Sequence, residues 1–195
     1  ELDQDSEKNT YLSIHSGSRH LGKEVTEYYL NEGQKALKSE QIEIPYELTY
    51  LDGELMKAYL HDLAIVQEYA TLNRKIMIQE ICKNMKWKEL HSYSCIHNYV
   101  DFSSPVPILR KGAISAKEGA PHGAGRILKR EDVKNNFTVS SYKKEMKGIY
   151  SSCINKETLD EAPFAYRSLD IIKDAIQDTV RIDKILSPIY NFKAG

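Results

Sequence analysis

The chain has 195 residues, of which 41% are hydrophobic and 28% are charged, and its formal net charge is −1 at pH 7. This is the length of one globular domain that buries about 70% of its unfolded surface. The net charge gives no global basic signal for nucleic acid, although it does not exclude RNA binding through a local basic patch. No apolar run is long enough to span a bilayer, and three cysteines without CxxC spacing favour reduced thiols in a cytoplasmic protein.

The first half of the chain is predicted to contain a short strand and two helices. Residues 11–14 form a short strand pattern that runs into a turn of glycine and serine. A helix is predicted over 23–37, followed by a loop over 45–53. Apolar residues at three- and four-residue steps predict a long helix over 54–86. Asn73 falls on its apolar face, either as a buried, hydrogen-bonded amide or as a group facing a polar site.

The second half is predicted to alternate short strands with loops and a charged helical region. Strands are predicted over 92–100 and 106–110, the second at an edge because its two prolines lack backbone donors. Residues 114–126 form a glycine-rich loop, and 129–147 form a solvated helix or pair of helices. A turn, a helix capped by Ser168 and a final strand are predicted over 159–166, 169–178 and 180–192. These elements indicate an α+β fold, with mixed short strands around a central cleft and a long helix outside.

Three histidines stand where a predicted strand meets a turn or a glycine-rich loop, namely His15, His97 and His122. Imidazoles from separate strands are a common way to build a transition-metal site. A neutral imidazole can also attack phosphorus as a covalent nucleophile. Taken one at a time, each histidine fits a structural role better.

Residues 120–126 read Ala-Pro-His-Gly-Ala-Gly-Arg and combine three groups suited to nucleotide chemistry. Glycine lets the backbone approach a ligand closely, and the Arg126 guanidinium matches phosphate oxygens. Arg19 likewise lies four residues after His15, in a turn whose backbone N–H groups can face an anion. The alternative is an ordinary glycine turn with a surface arginine. Together these features predict metal-assisted phosphoryl chemistry, although the sequence has no P-loop.

The order of the motifs resembles that of the RtcB-type RNA ligases. The matching pieces are His-Ser-Gly-Ser-Arg at 15–19, Tyr-Ala at 69–70, Asn-Arg at 73–74, His-Asn at 97–98, Arg-Lys-Gly-Ala at 110–113, His-Gly-Ala-Gly-Arg at 122–126, Asp-Glu-Ala-Pro at 160–163, Ala-Tyr at 165–166 and Tyr-Asn-Phe-Lys at 190–193. The resemblance covers nearly the whole chain from residue 11 onward. It implies a single RtcB-like catalytic domain over 1–195 with the α+β fold of that family.

The resemblance also implies a reaction. RtcB-type ligases join an RNA 3′-phosphate or 2′,3′-cyclic phosphate end to a 5′-hydroxyl end, with GTP and Mn²⁺, in tRNA splicing or RNA repair. His122 would then be the nucleophile that takes GMP through a phosphoramidate bond. The implied partner is RNA, the need for an activating protein is left open, and no membrane is involved.

The remaining site residues are carried over from the same resemblance. His15 and His97 match two ligands of one of the two manganese ions. Arg19 and Arg126 match arginines that hold phosphates or the RNA end. The contacts to the guanine nucleotide would come from Asn98, from the backbone of Gly123, Ala124 and Gly125, and from Lys193.

The chain departs from the family pattern in two places. The complete two-metal site of the family also uses an aspartate, a cysteine and a further histidine from an N-terminal region without a counterpart here. The step from Ala113 to Ala120 is also short, which predicts a segment missing between residues 119 and 120. Either the chain is the retained part of a longer ligase, which the position of the junctions inside motifs favours, or it is a reduced relative. The rival functions are a metal-dependent phosphohydrolase and a non-catalytic GTP- or RNA-binding relative.

Overall fold

The computed structural model describes residues 1–96, 98–110 and 123–192. Its helices and strands, in chain order, are β1 (Leu2–Gln4), β2 (Thr10–Leu12), α1 (Arg19–Ser39), α2 (Gly53–Met85), β3 (Tyr99–Asp101), β4 (Ile108–Arg110), α3 (Arg130–Asn136), α4 (Val139–Glu145), β5 (Tyr150–Ser151), α5 (Leu169–Ile176) and β6 (Ser187–Asn191). This mixture of helices and small sheets confirms the predicted α+β class. No helix in the described ranges is long and apolar enough to cross a membrane.

The chain divides into two compact units, which are described separately. The helical unit comprises Ile14–Ile96, and the mixed unit comprises Glu1–Ser13 together with His97–Gly195. The three cysteines are all free, as their spacing predicts.

The helical unit is built on α1 and α2, and both predicted helices are confirmed. The buried face of α1 carries Tyr29, Gly33 and Leu37. The Tyr29 hydroxyl donates a 2.7 Å hydrogen bond to the Asp62 carboxylate on α2. A Cβ on Gly33 would lie 2.6 Å from a methyl carbon of Leu51, so the absence of a side chain lets the segment before α2 pack against α1.

The mixed unit contains a four-stranded sheet in the order β2-β1-β6-β5. The first three strands pair antiparallel, whereas β5 and β6 pair in parallel. The sequence does not predict β1, because an acidic segment has little strand propensity. Asp3 nevertheless lies buried in this strand, where its carboxylate accepts a 2.6 Å hydrogen bond from the Ser13 hydroxyl. This local bond satisfies the polar group that burial would otherwise penalise.

The core of the mixed unit lies beneath α3 and α4. Its buried members are Val133, Tyr142, Leu159, Ala162 and Ala165. The predicted pair of helices over 129–147 is confirmed, but the expectation that the region is simply solvated is wrong. Each short helix turns one apolar side chain inward while its charged residues stay exposed, so a high charge content does not exclude a core role.

Two predicted strands are shorter than expected. The strand over 92–100 is wrong for most of its length, because 91–96 has no regular structure and β3 begins only at Tyr99. Asn98 has a φ of +55°, a left-handed conformation that interrupts extended backbone. The final strand likewise begins only at Ser187.

The other predictions in this half have mixed outcomes. The strand over 106–110 is confirmed as β4 and pairs antiparallel with β3. The predicted turn over 159–166 contains two short 3-10 turns, Leu159–Glu161 and Pro163–Ala165. The predicted cap is also confirmed, because the Ser168 side chain accepts from the backbone N–H of Ile171. Most of the glycine-rich loop predicted over 114–126 lies outside the described residues.

Candidate functional site

In the helical unit, residues 14–18 form the irregular turn that carries His15, here called the His15 turn. Asn73 on α2 holds this turn by donating to the Ser16 hydroxyl at 3.1 Å and to the Gly17 carbonyl at 3.2 Å. The two interpretations of Asn73 left open by the sequence therefore coincide. The amide is partly buried and hydrogen-bonded, and its partners belong to a segment with candidate site residues.

Arg74 connects the His15 turn to a second segment of the same unit. Its Nη1 donates to the Ser16 carbonyl at 3.1 Å. Its Nη2 donates to the Ser94 hydroxyl and to the Cys95 carbonyl, each at 3.2 Å. One guanidinium thus fixes both the turn and the chain that leads to residue 96. The sequence assigns no role to this arginine, although the Asn-Arg pair belongs to the motifs of the resemblance.

His15 in the turn and Arg19 at the first residue of α1 are both exposed. Ser18 occupies the position before the helix, and Arg19, the first helical residue, has a φ of +54°. Among the residues that the structure describes, no group of three or more His, Cys, Asp or Glu side chains is arranged to hold a metal ion. His97 lies outside the described ranges, so its convergence with His15 on one ion stays a prediction.

In the mixed unit, Asn98 immediately precedes the β3–β4 hairpin. Its left-handed conformation is one that asparagine tolerates better than most residues. Within the hairpin, Arg110 donates to one carboxylate oxygen of Asp101 at 3.0 and 3.1 Å. The Ser103 hydroxyl and backbone N–H, followed by the Arg110 side chain, lower the pKa of Asp101 to about 2. The hairpin is therefore fixed by charge-assisted bonds directly after a candidate nucleotide contact.

Residues 123–126, here called the glycine segment, combine two left-handed glycines with an antiparallel contact. The φ angles of Gly123 and Gly125 are +79° and +70°, which L-residues with a side chain rarely adopt. Arg126 forms an isolated antiparallel bridge with Tyr166. Arg167 donates its backbone N–H to the Gly125 carbonyl at 3.1 Å. The end of the glycine segment is thus tied to the chain that follows the Asp-Glu-Ala-Pro turn.

The Arg126 side chain enters a network with this turn. Its Nη1 donates to the Asp160 main-chain carbonyl, and its Nη2 donates to the Tyr166 hydroxyl at 2.8 Å. The Tyr166 hydroxyl in turn donates to the Glu161 carboxylate at 2.7 Å, and the Arg126 guanidinium lies 3.7 Å from the same carboxylate. Burial, followed by this bond to Glu161, raises the pKa of Tyr166. These contacts hold the Arg126 guanidinium against the Asp-Glu-Ala-Pro turn.

Two cationic side chains of α3 lie beside the carboxylates of Asp160 and Glu161. Arg130 lies 3.1 Å from the Asp160 carboxylate and 3.5 Å from that of Glu161. Lys134 lies 3.6 Å from Asp160, whose side chain is only 4% exposed. A buried carboxylate needs such partners, because an unpaired charge is costly away from water. The sequence gives Asp160 and Glu161 only as motif residues, and their role as partners of Arg126 depends on this tertiary contact.

The structure places the predicted site residues in two groups. His15 and Arg19 belong to the helical unit, whereas Asn98 and the glycine segment belong to the mixed unit. His97, His122 and Lys193 lie outside the described ranges, and their roles stay predictions.

The α+β class and the order of these motifs agree with the family that the chain resembles, and the comparisons with known proteins test that resemblance. The family model of the tRNA-splicing ligase RtcB matches residues 3–120 and 117–194. The chain belongs to the RtcB family.

Two curated relatives are similar to the chain. They are the RNA-splicing ligase RtcB1 of one Escherichia coli strain and the RNA-splicing ligase RtcB of Escherichia coli K12. Each is 26% identical over 227 residues, which covers 93% of this chain and 55% of the relative. The chain therefore spans about half the length of these relatives. No solved structure matches it.

Proposed function

We propose that this chain supplies the catalytic machinery of a GTP- and Mn²⁺-dependent RNA ligase. The ligase would join RNA 3′-phosphate or 2′,3′-cyclic phosphate ends to 5′-hydroxyl ends, in tRNA splicing or RNA repair. The observation that carries this proposal is the match to the RtcB family model, which runs over nearly the whole chain and covers all the motifs of the resemblance.

The proposed nucleophile is His122. One imidazole nitrogen attacks the α-phosphorus of GTP, so that a P–N bond forms, the bond to the bridging oxygen breaks and pyrophosphate leaves. The GMP then passes from the histidine to the RNA 3′-phosphate, which frees the imidazole and activates the RNA end. The 5′-hydroxyl attacks that activated phosphorus and expels GMP. Histidine suits this sequence because its phosphoramidate is formed and broken readily.

His15 and His97 are proposed as two ligands of one manganese ion. Imidazole nitrogens suit first-row transition metals, and His15 is an exposed residue. A bound divalent ion supplies neutralisation of the charge spread over the phosphate oxygens. Two imidazoles do not complete a coordination sphere, so we expect further ligands from the rest of an RtcB-type protein.

The guanine nucleotide is proposed to contact the backbone of Gly123, Ala124 and Gly125 and the side chains of Asn98 and Lys193. The positive φ angles at Gly123 and Gly125 support this role, because they favour glycine, whose lack of a Cβ lets a ligand approach the backbone closely. Arg19 and Arg126 are proposed to hold phosphates or the RNA end.

We also propose that residues 1–195 form one catalytic domain that lacks a family segment between residues 119 and 120. The two stretches matched by the family model meet at residues 117–120, which supports this position. The alignment with each relative runs over 227 residues, more than the 195 of this chain, so the relatives carry residues without a counterpart here.

Incubation with α-labelled GTP and Mn²⁺ tests the proposed chemistry. We expect a label on the protein that is labile to acid and to hydroxylamine, as a phosphoramidate is, and that His122→Ala abolishes. His91→Ala is the matched control, since His91 is an exposed histidine outside the motifs. Release of phosphate without a label would favour a phosphohydrolase, and GTP binding without either would favour a non-catalytic relative.

RNA joining separates nucleotide activation from the complete reaction. Because only part of the family's metal site is proposed to come from these residues, we expect the chain by itself to join 3′-phosphate and 5′-hydroxyl RNA ends poorly or not at all. Efficient joining by these 195 residues would refute the assignment of the remaining metal ligands to other parts of an RtcB-type protein.

A further inference from the structure

Arg167 lies directly against the glycine segment. Its backbone N–H donates to the Gly125 carbonyl at 3.1 Å. Its guanidinium covers the Cα of the same glycine, because a Cβ built on Gly125 would lie 2.5 Å from Arg167 Nη1. The lack of a side chain at Gly125 therefore makes room for a second arginine beside the backbone that we propose to hold the nucleotide.

The two arginines at this segment differ in how their charge is compensated. Arg126 faces the Glu161 carboxylate, and its side chain is only 22% exposed. Arg167 is exposed, and its guanidinium forms no ion pair or hydrogen bond with any residue that the structure describes. An arginine with no acidic partner, resting on backbone that carries no Cβ, retains its full donor capacity for an anion.

The local pairing explains why the two side chains have different surroundings. Arg126 and Tyr166 form the antiparallel bridge, and both side chains reach the Glu161 carboxylate. Side chains alternate between the two faces of an extended segment, so Arg167 leaves the backbone on the face opposite to Tyr166. The Asp-Glu-Ala-Pro turn at 160–163 therefore holds Arg126 on one face, while Arg167 covers Gly125 on the other.

We propose that Arg167 is a further binding residue for a phosphate of the guanine nucleotide. This inference rests on the proposed function, because it takes the glycine segment as the place where the nucleotide binds. Arg167 contacts the phosphate and not the base, so it distinguishes GTP from guanosine. It takes no covalent part in the reaction.

The test measures the affinity of the full chain for GTP and for guanosine by calorimetry. We expect Arg167→Ala to weaken GTP binding about tenfold, as the loss of a charge-assisted hydrogen bond at an exposed position does, and to leave guanosine binding unchanged. Arg167→Lys keeps the charge but loses the planar fork, so its GTP affinity falls in between. Arg181→Ala is the matched control, because Arg181 is an exposed arginine of the same unit with its own partner, Asp183.

Each outcome decides between the two proposals. GTP binding by Arg167→Ala at the wild-type affinity overturns the role of Arg167 alone and leaves the proposed function standing. An equal loss of GTP and guanosine binding also overturns it, because that result indicates a structural role. If the wild-type chain binds no GTP, the proposed function fails, and the role of Arg167 fails with it.

Discussion

Removal of the Glu161 carboxylate tests whether the Asp-Glu-Ala-Pro turn holds Arg126 in place. Glu161 accepts a 2.7 Å hydrogen bond from the Tyr166 hydroxyl and lies 3.5 to 3.7 Å from the guanidinium groups of Arg130 and Arg126. A hydrogen bond to a charged group contributes about 1.5–3 kcal/mol. The side chain is 31% exposed, so we take the low end for this bond and no more than about 1 kcal/mol for the ion pairs together.

We therefore expect Glu161→Ala to lower the free energy of unfolding by about 2 kcal/mol. Glu161→Gln keeps an acceptor oxygen for Tyr166 but removes the charge, and we expect it to cost about 1 kcal/mol. Urea denaturation followed by far-UV circular dichroism measures both values. Glu157→Ala and Glu157→Gln are matched controls, because Glu157 is an exposed glutamate nearby, and we expect changes of about 0.5 kcal/mol or less.

A double-mutant cycle with Tyr166→Phe isolates the contact itself. We expect Glu161→Ala and Tyr166→Phe to be non-additive by about 1 kcal/mol, since either substitution alone removes their shared hydrogen bond. If Glu161→Ala costs no more than Glu157→Ala and the two substitutions are additive, the carboxylate does not hold this network, and the account of Arg126 is refuted.

Three further predictions concern packing and pH. Tyr29→Phe removes the 2.7 Å hydrogen bond to the Asp62 carboxylate and should lower the free energy of unfolding, measured with urea, by about 1 kcal/mol. Tyr28→Phe is the control, because Tyr28 is 57% exposed, and it should cost almost nothing. Equal losses would contradict the role of this hydrogen bond. Gly33→Ala should lower the melting temperature despite its gain in helix propensity, because the new Cβ would lie 2.6 Å from a methyl carbon of Leu51. A higher melting temperature would show that this contact relaxes freely. The pKa of Asp101 is lowered to about 2, so the stability that its ionised carboxylate contributes is present above pH 3.8 and is lost as the pH falls through about 2. An NMR titration of the Asp101 carboxyl carbon should have its midpoint near 2. A midpoint near 3.8 would contradict the hairpin contacts.

The elements that the sequence predicts well are those in which local pattern and tertiary packing agree. The long helix α2 follows from apolar residues at helical steps, and the helix after Ser168 follows from its cap. The strand over 92–100 fails because Asn98 adopts a left-handed conformation that composition does not reveal. Strand β1 is missed because its acidic residue, Asp3, is stabilised by the hydroxyl of Ser13, which directly follows β2.

The candidate site shows the same division. The motif order suffices to find the family, whereas the chemical roles of single residues stay predictions. It does not reveal which of them touch, because the contact of Arg126 with Glu161 and Tyr166 joins residues 35 to 40 positions apart. Arg167 gives no signal of its own in the sequence. Its contact with the glycine segment is seen only in the structure, where its guanidinium takes the space that a side chain on Gly125 would fill.

The proposed guanylylation of His122 is tested most directly by mass spectrometry, which locates a GMP adduct on the protein after incubation with GTP and Mn²⁺. We predict one adduct, on the peptide that contains His122; His122→Ala abolishes it, and His91→Ala retains it. An adduct on a lysine, or GTP consumption with no adduct on any histidine, would contradict the proposed ligase chemistry.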